Sequence, residues 1–286
     1  MAADSNIVTA QADETLWIYG LALEYEIRPT KRIGLVAGIM HNWLDGDGPS
    51  DQATGYSGGI TVDVTSSTRL RASAAHRFRF PTLRQLFDQT AGNPNLVTEE
   101  ADLFELGAEQ QIGRDASVGL ALFHTNAHNF IERPQGDVQY QNAEQYRFRG
   151  VEVTGMFRPV PSVVLQLAYS YLDADAKLPN DETVTLQYRP QNKVTFMGRW
   201  TARWGTSAAV NFQYLAGQVY DSRRLPLQQG DLPNFVVLGL RAEQRVPQSP
   251  ASVYAGVDNL LNSAYEQAYG FPLASLTWYF GFGLQW

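Results

Sequence analysis

The sequence predicts an all-β, antiparallel, up-and-down transmembrane β-barrel. Three observations carry this reading. Polarity alternates with period two almost throughout, the alternating runs are long, and their connections alternate between tight and long. Successive side chains of a strand point to opposite faces, so period two gives one apolar and one polar face.

Thirteen strands are expected, at 16–28, 31–43, 56–65, 68–80, 101–113, 116–131, 146–158, 162–173, 190–203, 206–219, 234–246, 251–262 and 276–286. In the first, Trp17, Tyr19, Leu21, Leu23, Tyr25 and Ile27 oppose Gly20, Glu24 and Glu26. In the fourth, Leu70, Ala72, Ala74, Phe78 and Phe80 oppose Arg69, Arg71, Ser73, Arg77 and Arg79. In the eighth, Val163, Leu165, Leu167, Tyr169 and Tyr171 oppose Gln166, Ala168 and Ser170. In the tenth, Val210, Phe212 and Tyr214 oppose Asn211 and Gln213; in the eleventh, Val236, Leu238 and Leu240 oppose Gly239, Arg241 and Glu243. Most runs match or exceed the ~9–11 residues that a tilted strand needs to cross a bilayer.

The tight connections are Pro29-Thr30, Ser66-Ser67, Arg114-Asp115, 159–161, Trp204-Gly205 and 247–250. The long ones are expected around 44–55, 81–100, 132–145, 174–189, 220–233 and 263–275. Short turns on one side and long loops on the other are the layout of an outer-membrane barrel. Trp17, Tyr19, Trp43, Phe78, Phe80, Trp200, Trp204, Trp278 and Phe280 fall near strand ends, where aromatic girdles meet the headgroups.

Composition narrows the function. The 286 residues carry 22 Lys+Arg, 29 Asp+Glu and a net charge of −7, which argues against a nucleic-acid partner. No cysteine is present, which removes disulfides, thiolate metal sites and cysteine nucleophiles. No apolar run is long enough for a transmembrane helix, and Met1-Ala-Ala-Asp-Ser has neither region of a signal peptide. The mean hydropathy of −0.26 fits a barrel, whose two faces average out.

The last strand reads Trp278-Tyr-Phe-Gly-Phe-Gly-Leu-Gln-Trp286 and sets Trp278, Phe280, Phe282, Leu284 and Trp286 on one face. Tyr279, Gly281, Leu284 and Trp286 resemble the C-terminal assembly signal of bacterial outer-membrane proteins, which implies the barrel-assembly machinery as a partner. Its physical sense is strand addition at a bare edge.

Further segments, in order, resemble TonB-dependent outer-membrane receptors. Arg77-Phe-Arg-Phe-Pro-Thr-Leu-Arg-Gln-Leu-Phe87 is similar to "GFRAPTLxELY", and Gly92-Asn-Pro-Asn-Leu96 with Glu99-Glu100 to "GNPxLxPE". Phe104 to Glu109 is similar to "YELGxE", Arg149 to Val153 to "KGVEVE", and Tyr169 to Asp173 to "SYTYLDA". Asp258-Asn-Leu-Leu-Asn262 with Tyr265-Glu is similar to "NLFDKxYE". The resemblance covers about 16–286 and implies a 22-stranded barrel filled by a plug domain. Here no plug or TonB box is recognisable, and there is room for about 13–14 strands; 6–10 would supply the fourteenth. Residues 1–15 then read as an external-loop remnant or truncated N-terminus, and 16–286 as the C-terminal part of a barrel.

Enzyme chemistry finds no motif. His124 and His128 lie on an expected strand, where four residues span roughly 13 Å, too far for one metal ion. His41 and His76 read as polar rim. Asp45-Gly-Asp-Gly-Pro-Ser-Asp51 offers Asp45, Asp47 and Asp51 as a weak calcium candidate, against an ordinary Asp/Gly turn. The row Arg69, Arg71, Arg77 and Arg79 either guides an anionic chelate or pairs with Glu105 and Glu109. Arg77, Arg79, Tyr140, Tyr188 and Tyr220 are the candidate ligand contacts.

The resemblance implies uptake across the Gram-negative outer membrane of a siderophore-type metal chelate or a corrinoid, with no cofactor. TonB would act through a plug absent here, and lipid and lipopolysaccharide would surround the wall. The alternatives are a passive channel, a nonfunctional receptor fragment, an outer-membrane enzyme and a soluble β-sandwich.

Overall fold

The computed structural model describes residues 14–133, 138–177, 182–221 and 229–284. The strands are β1 (Leu16–Thr30), β2 (Ile33–Gly46), β3 (Asp51–Asp63), β4 (Thr68–Arg79), β5 (Glu99–Ile112), β6 (Ala116–Glu132), β7 (Gln141–Phe157) and β8 (Val163–Lys177). They continue with β9 (Thr183–Thr185), β10 (Asn192–Thr201), β11 (Thr206–Ala216), β12 (Gln218–Asp221), β13 (Gln229–Leu232), β14 (Phe235–Arg245), β15 (Ala251–Asp258) and β16 (Thr277–Leu284). One short helix, α1 (Leu83–Phe87), follows β4.

The main sheet runs β1-β2-β3-β4-β5-β6-β7-β8-β10-β11-β14-β15-β16, with β9 on β8, and every pairing is antiparallel between successive long strands. All thirteen expected strands are present in that path. The sequence pattern did not reveal β9 or the β12–β13 hairpin, which stand in the long connections. Among the described residues β1 and β16 each pair on one side only, so the sheet is a partial barrel. The strand expected at 6–10 lies outside the described residues.

Register makes the two faces continuous. The outward row Leu23, Ile39 and Tyr56 runs across β1 to β3, and Leu120, Val153, Tyr169, Val194, Tyr214 and Val236 run across β6 to β14. These outward apolar groups are exposed: Leu21 71%, Leu23 70%, Phe280 89% and Phe282 77%. A soluble sandwich would bury such a face, whereas lipid covers it here. No helix among the described residues is long and apolar enough to cross a membrane.

Two expectations are corrected. The connection expected at 44–55 shrinks to 47–50, because β2 and β3 pair up to Leu44↔Asp51. Phe80 does not join a girdle: it lies beyond β4, is buried, and packs on Phe78 at 5.4 Å between ring centres. At the short-turn end Trp200 and Trp204 do meet edge to face, 6.0 Å apart.

The last three strands interlock through glycine. A Cβ on Gly281 would sit 2.4 Å from the Tyr254 hydroxyl oxygen, and one on Gly256 2.3 Å from the Tyr279 ring. Each inward tyrosine therefore lies flat across the glycine of its neighbour. This gives Gly281 and Tyr279 of the assembly segment a packing role, with Leu284 on the outward face; Trp286 lies outside the described residues. Replacing Gly281 by Val should overpack this joint and destabilise the folded protein by about 1–3 kcal/mol. Urea unfolding in lipid vesicles reads the change; an unaltered midpoint would refute the interlock.

Candidate functional site

The inward face carries a cluster of arginine–carboxylate pairs on β3 to β5 and a further pair, Arg241–Glu243, on β14. On β4, Arg69 binds Asp63 at 2.7 Å, and Arg71 bridges Glu105 at 2.9 Å and Glu109 at 3.2 Å. Gly107 makes the bridge possible: a Cβ there would lie 2.6 Å from Arg71 Nε, so the guanidinium crosses β5 over the glycine. Arg79 donates through Nε and Nη2 to Glu99, both at 2.5 Å, and Glu99 also accepts from the Ile131 backbone N–H at 2.7 Å. Arg79 is thus a structural group and not a free ligand contact. Arg77, on the same face, makes no ion pair or hydrogen bond among the described residues and is exposed to the lumen.

Above this wall the connection between β4 and β5 folds into a cap. Thr82 and Gln85 form a capping box that starts α1, satisfying free N–H groups at its first turn. Asp88 then accepts from the Thr90 and Ala91 backbone N–H groups at 3.0 and 2.9 Å. Leu86, 2% exposed, packs with Leu96 and Ile131, joined by Leu16, Phe87 and Tyr140. Asn93 Nδ2 donates to the Tyr140 carbonyl at 2.8 Å, and Tyr140 N–H donates to the Ala91 carbonyl at 2.8 Å. Asn142 and Val97 exchange two bonds of 3.0 Å. Tyr140 is therefore part of the cap's core rather than a presented ring.

The acidic turn beside the cap has its own partners. Asp45 accepts from Gly46 N–H and Ser50 Oγ, Asp47 from Thr15 N–H, and Asp51 from Gln52 N–H and Thr98 Oγ1. The described residues hold no group of three His, Asp or Glu side chains placed to share a metal ion, and the carboxylates of this turn are engaged in these hydrogen bonds. The four histidines lie on the outward face. His41 meets Thr54 at 2.7 Å and His76 meets Asp102 at 2.8 Å, while His124 and His128 share one side of β6.

Across the mouth the contacts are aromatic. Tyr220 of β12 stacks on Tyr269 with ring centres 4.0 Å apart and planes 5° from parallel. Tyr188, at φ 58°, donates its N–H to the Val219 carbonyl at 2.9 Å and so stands beside this pair. Partial desolvation, then the neighbouring Tyr269, raises the Tyr220 hydroxyl above its ordinary pKa. The connection after β15 folds back through two asparagines. Buried Asn259 donates to the Ser263 and Ala274 carbonyls and accepts from Ser263 N–H, and Asn262 accepts from Leu276 N–H. Tyr265 then packs on Phe235 at 4.7 Å.

Between this connection and the wall lies a cavity of about 900 Å³. Its inward row runs Met156, Gln166, Met197, Asn211 and Gly239 across β7, β8, β10, β11 and β14. Thr195, Gln213, Asp258, Tyr265 and Thr277 also line it, Asp258 being its one charged group among the described residues. Sequence reasoning named Tyr188 and Tyr220 but missed Tyr269, Asp258 and the amide row. Period two had placed Gln166, Asn211 and Gln213 on the polar face; what it lacked was their convergence.

Residues 2–260 match the family described as TonB dependent receptor-like, beta-barrel. The chain is 25% identical over 276 residues to the vitamin B12 transporter BtuB of Vibrio cholerae, covering 92% of this chain and 43% of that protein. Over 125 residues it is 29% identical to the vitamin B12 transporter BtuB of Photobacterium profundum, covering 40% of this chain and 20% of that protein. Its fold is similar to the ferric-catecholate import receptor Fiu of E. coli K12, with TM-score 0.75, 16% identity, and 94% and 44% of the two chains covered. It is likewise similar to the ferripyoverdine receptor of Pseudomonas aeruginosa, with TM-score 0.76, 14% identity, and coverage of 94% and 38%. The chain spans less than half the length of these relatives.

Two outcomes test the cap. Glu99→Ala leaves the Ile131 N–H and the Arg79 guanidinium without their acceptor, and should destabilise the protein by about 2–3 kcal/mol. An unchanged urea midpoint would count against it. The Asp88 carboxyl is held below its ordinary pKa by the Ala91 and Thr90 N–H groups. Its stabilisation is therefore complete above the unfolded value of about 3.9 and lost as pH falls through the folded value. Cleavage of the 83–93 segment by an acid-active protease should rise sharply below about pH 4 in the parent. Asp88→Ala should be open at pH 6 already; equal resistance of the two at pH 6 would refute the assignment.

Proposed function

The chain belongs to the TonB-dependent receptor β-barrel family, and from that premise we propose that its protein imports a metal chelate or a corrinoid across the outer membrane. The family is one of outer-membrane receptors and transporters, and this chain supplies transmembrane wall together with part of the mouth. The single observation carrying the uptake reading is the match of residues 2–260 to the receptor barrel family, beside relatives described as vitamin B12 transporters.

In this reading TonB supplies the energy by acting on a plug domain, and further strands of the whole protein meet the open edges of β1 and β16. Lipid cannot satisfy bare edge groups, each of which costs several kcal/mol. Arg77 and the Tyr188, Tyr220 and Tyr269 group are the candidate ligand contacts. The barrel-assembly machinery reads the last strand, and outer-leaflet lipid, lipopolysaccharide included, covers the outward face.

A passive channel is the competing class. It predicts steady ion conductance without saturable uptake. Deleting the gene should abolish TonB-dependent accumulation of labelled vitamin B12 or of one labelled ferric chelate. Unchanged uptake of every corrinoid and iron chelate tested would overturn the reading.

A further inference from the structure

We propose that the rim formed by the short connections is a docking surface for the anionic headgroups of phospholipid in the leaflet it faces. This surface lies outside the lumen and does not depend on the cargo.

Antiparallel pairing sets the six tight connections side by side along one edge of the sheet. The first turn carries Arg28, Lys31 and Arg32, the second is flanked by Arg69, and the other four carry Arg114, Arg158, Arg203 and Arg245. Against these eight cations stand three carboxylates, Glu26, Asp63 and Asp115, so the rim is +5 on a chain whose whole charge is −7. Two of the cations are paired, Arg28 with Glu26 at 3.3 Å and Arg69 with Asp63 at 2.7 Å. Arg28 and Glu26 are both more than half exposed, so water weakens that pair. Lys31, Arg32, Arg114, Arg203 and Arg245 have no side-chain hydrogen bond or ion pair among the described residues, and all are exposed. Arg158 meets the Met156 sulfur at 3.9 Å. The other end of the strands differs, because Glu99, Asp175 and Asp173 grip Arg79, Arg147 and Arg149.

A lipid leaflet fits this rim better than an acidic protein does, because apolar groups are interleaved with the charges. Val64, Ile112, Phe157, Val160, Trp204 and Val246 stand exposed in or beside the same turns. Trp204, 69% exposed, meets Trp200 edge to face at this end. An indole at the membrane interface keeps its ring on acyl chains and its N–H among headgroups. A lysine or arginine beside it lays its stem on apolar surface and extends its charge to phosphate. Neighbouring strands are about 4.8 Å apart, so successive hairpin turns lie roughly 10 Å apart. Each turn therefore meets its own lipid phosphate. The same spacing is close to the Debye length of about 8 Å at physiological salt, which limits repulsion between the cations.

The test uses the full-length protein reconstituted in phosphatidylcholine bilayers with trace spin-labelled phosphatidylglycerol or spin-labelled phosphatidylcholine. The expected result is association that favours phosphatidylglycerol about threefold or more, falling toward equality in about 0.5 M salt. Lys31→Gln, Arg32→Gln, Arg114→Gln and Arg203→Gln combined should remove about half of that preference or more. Arg114→Gln with Arg203→Gln, which leaves the first turn intact, should give a smaller loss in the same direction. The mobility shift on heating checks that each variant is folded. Equal association of the two lipids with the wild type, or a preference that both variants keep in full, overturns the proposal. Binding of poly-glutamate without a headgroup preference also overturns it and assigns the rim to an acidic protein. None of these outcomes bears on the uptake reading, which gene deletion tests separately.

Discussion

A bilayer offers no water to a backbone N–H or carbonyl, so a spanning chain must satisfy these groups within itself. Everything in this wall follows from that demand. The strands of 12 to 17 residues from β1 to β8 pair in antiparallel order with their sequence neighbours, which closes each ladder locally. Pairing then fixes the faces, because a shift of one residue would turn every side chain to the wrong solvent. The outward row can be apolar and still exposed, as Leu21 and Phe280 are, only because lipid is its solvent.

Close pairing also requires room on the crowded inward face, and glycine provides it where a long side chain crosses a strand. Arg71 crosses Gly107, Tyr254 crosses Gly281, and Tyr279 crosses Gly256. The first crossing ties β4 to Glu105 and Glu109 and neutralises the charge of the wall in place. The other two stiffen the last strands, where β16 has a neighbour on one side only. Paired charge is thereby gathered on β3 to β5, while the inward face of β7 to β14 mixes amides, hydroxyls and thioethers with Glu152, Lys193, Arg199 and the Arg241–Glu243 pair.

Most of the wall was legible because its information is local. Period two in 163–172 needs no distant partner to be read, and all thirteen long strands came from such runs. The mouth was not legible, because its partners are far apart in sequence. Glu99 looks like one of two adjacent acids until Arg79 and the Ile131 N–H converge on it. Tyr140 looks like an exposed loop ring until Asn93 and Ala91 bind its backbone. The β12–β13 hairpin is too short, at four residues a strand, to show periodicity. The Asp258–Asn262 motif was noticed by resemblance; its physical content is two asparagines at φ 49° and 51° that bend the chain over the cavity.

The same hydrogen-bond demand explains which polar side chains remain available for a ligand. A loop that leaves the sheet loses its ladder partners, and side-chain oxygens and amides replace them. Asp45, Asp47, Asp51, Asp88, Asn93, Asn142, Asn259 and Asn262 all serve in this way. An acidic or amide-rich loop is for that reason a poor guide to a binding site: its conspicuous residues are the ones already engaged. Among the described residues, Glu24, Arg77, Glu152, Lys193, Arg199 and Asp258 on the inward face answer to no internal hydrogen bond or ion pair, so on that face the charges that the fold leaves unused lie on the regular strands and not in its conspicuous loops.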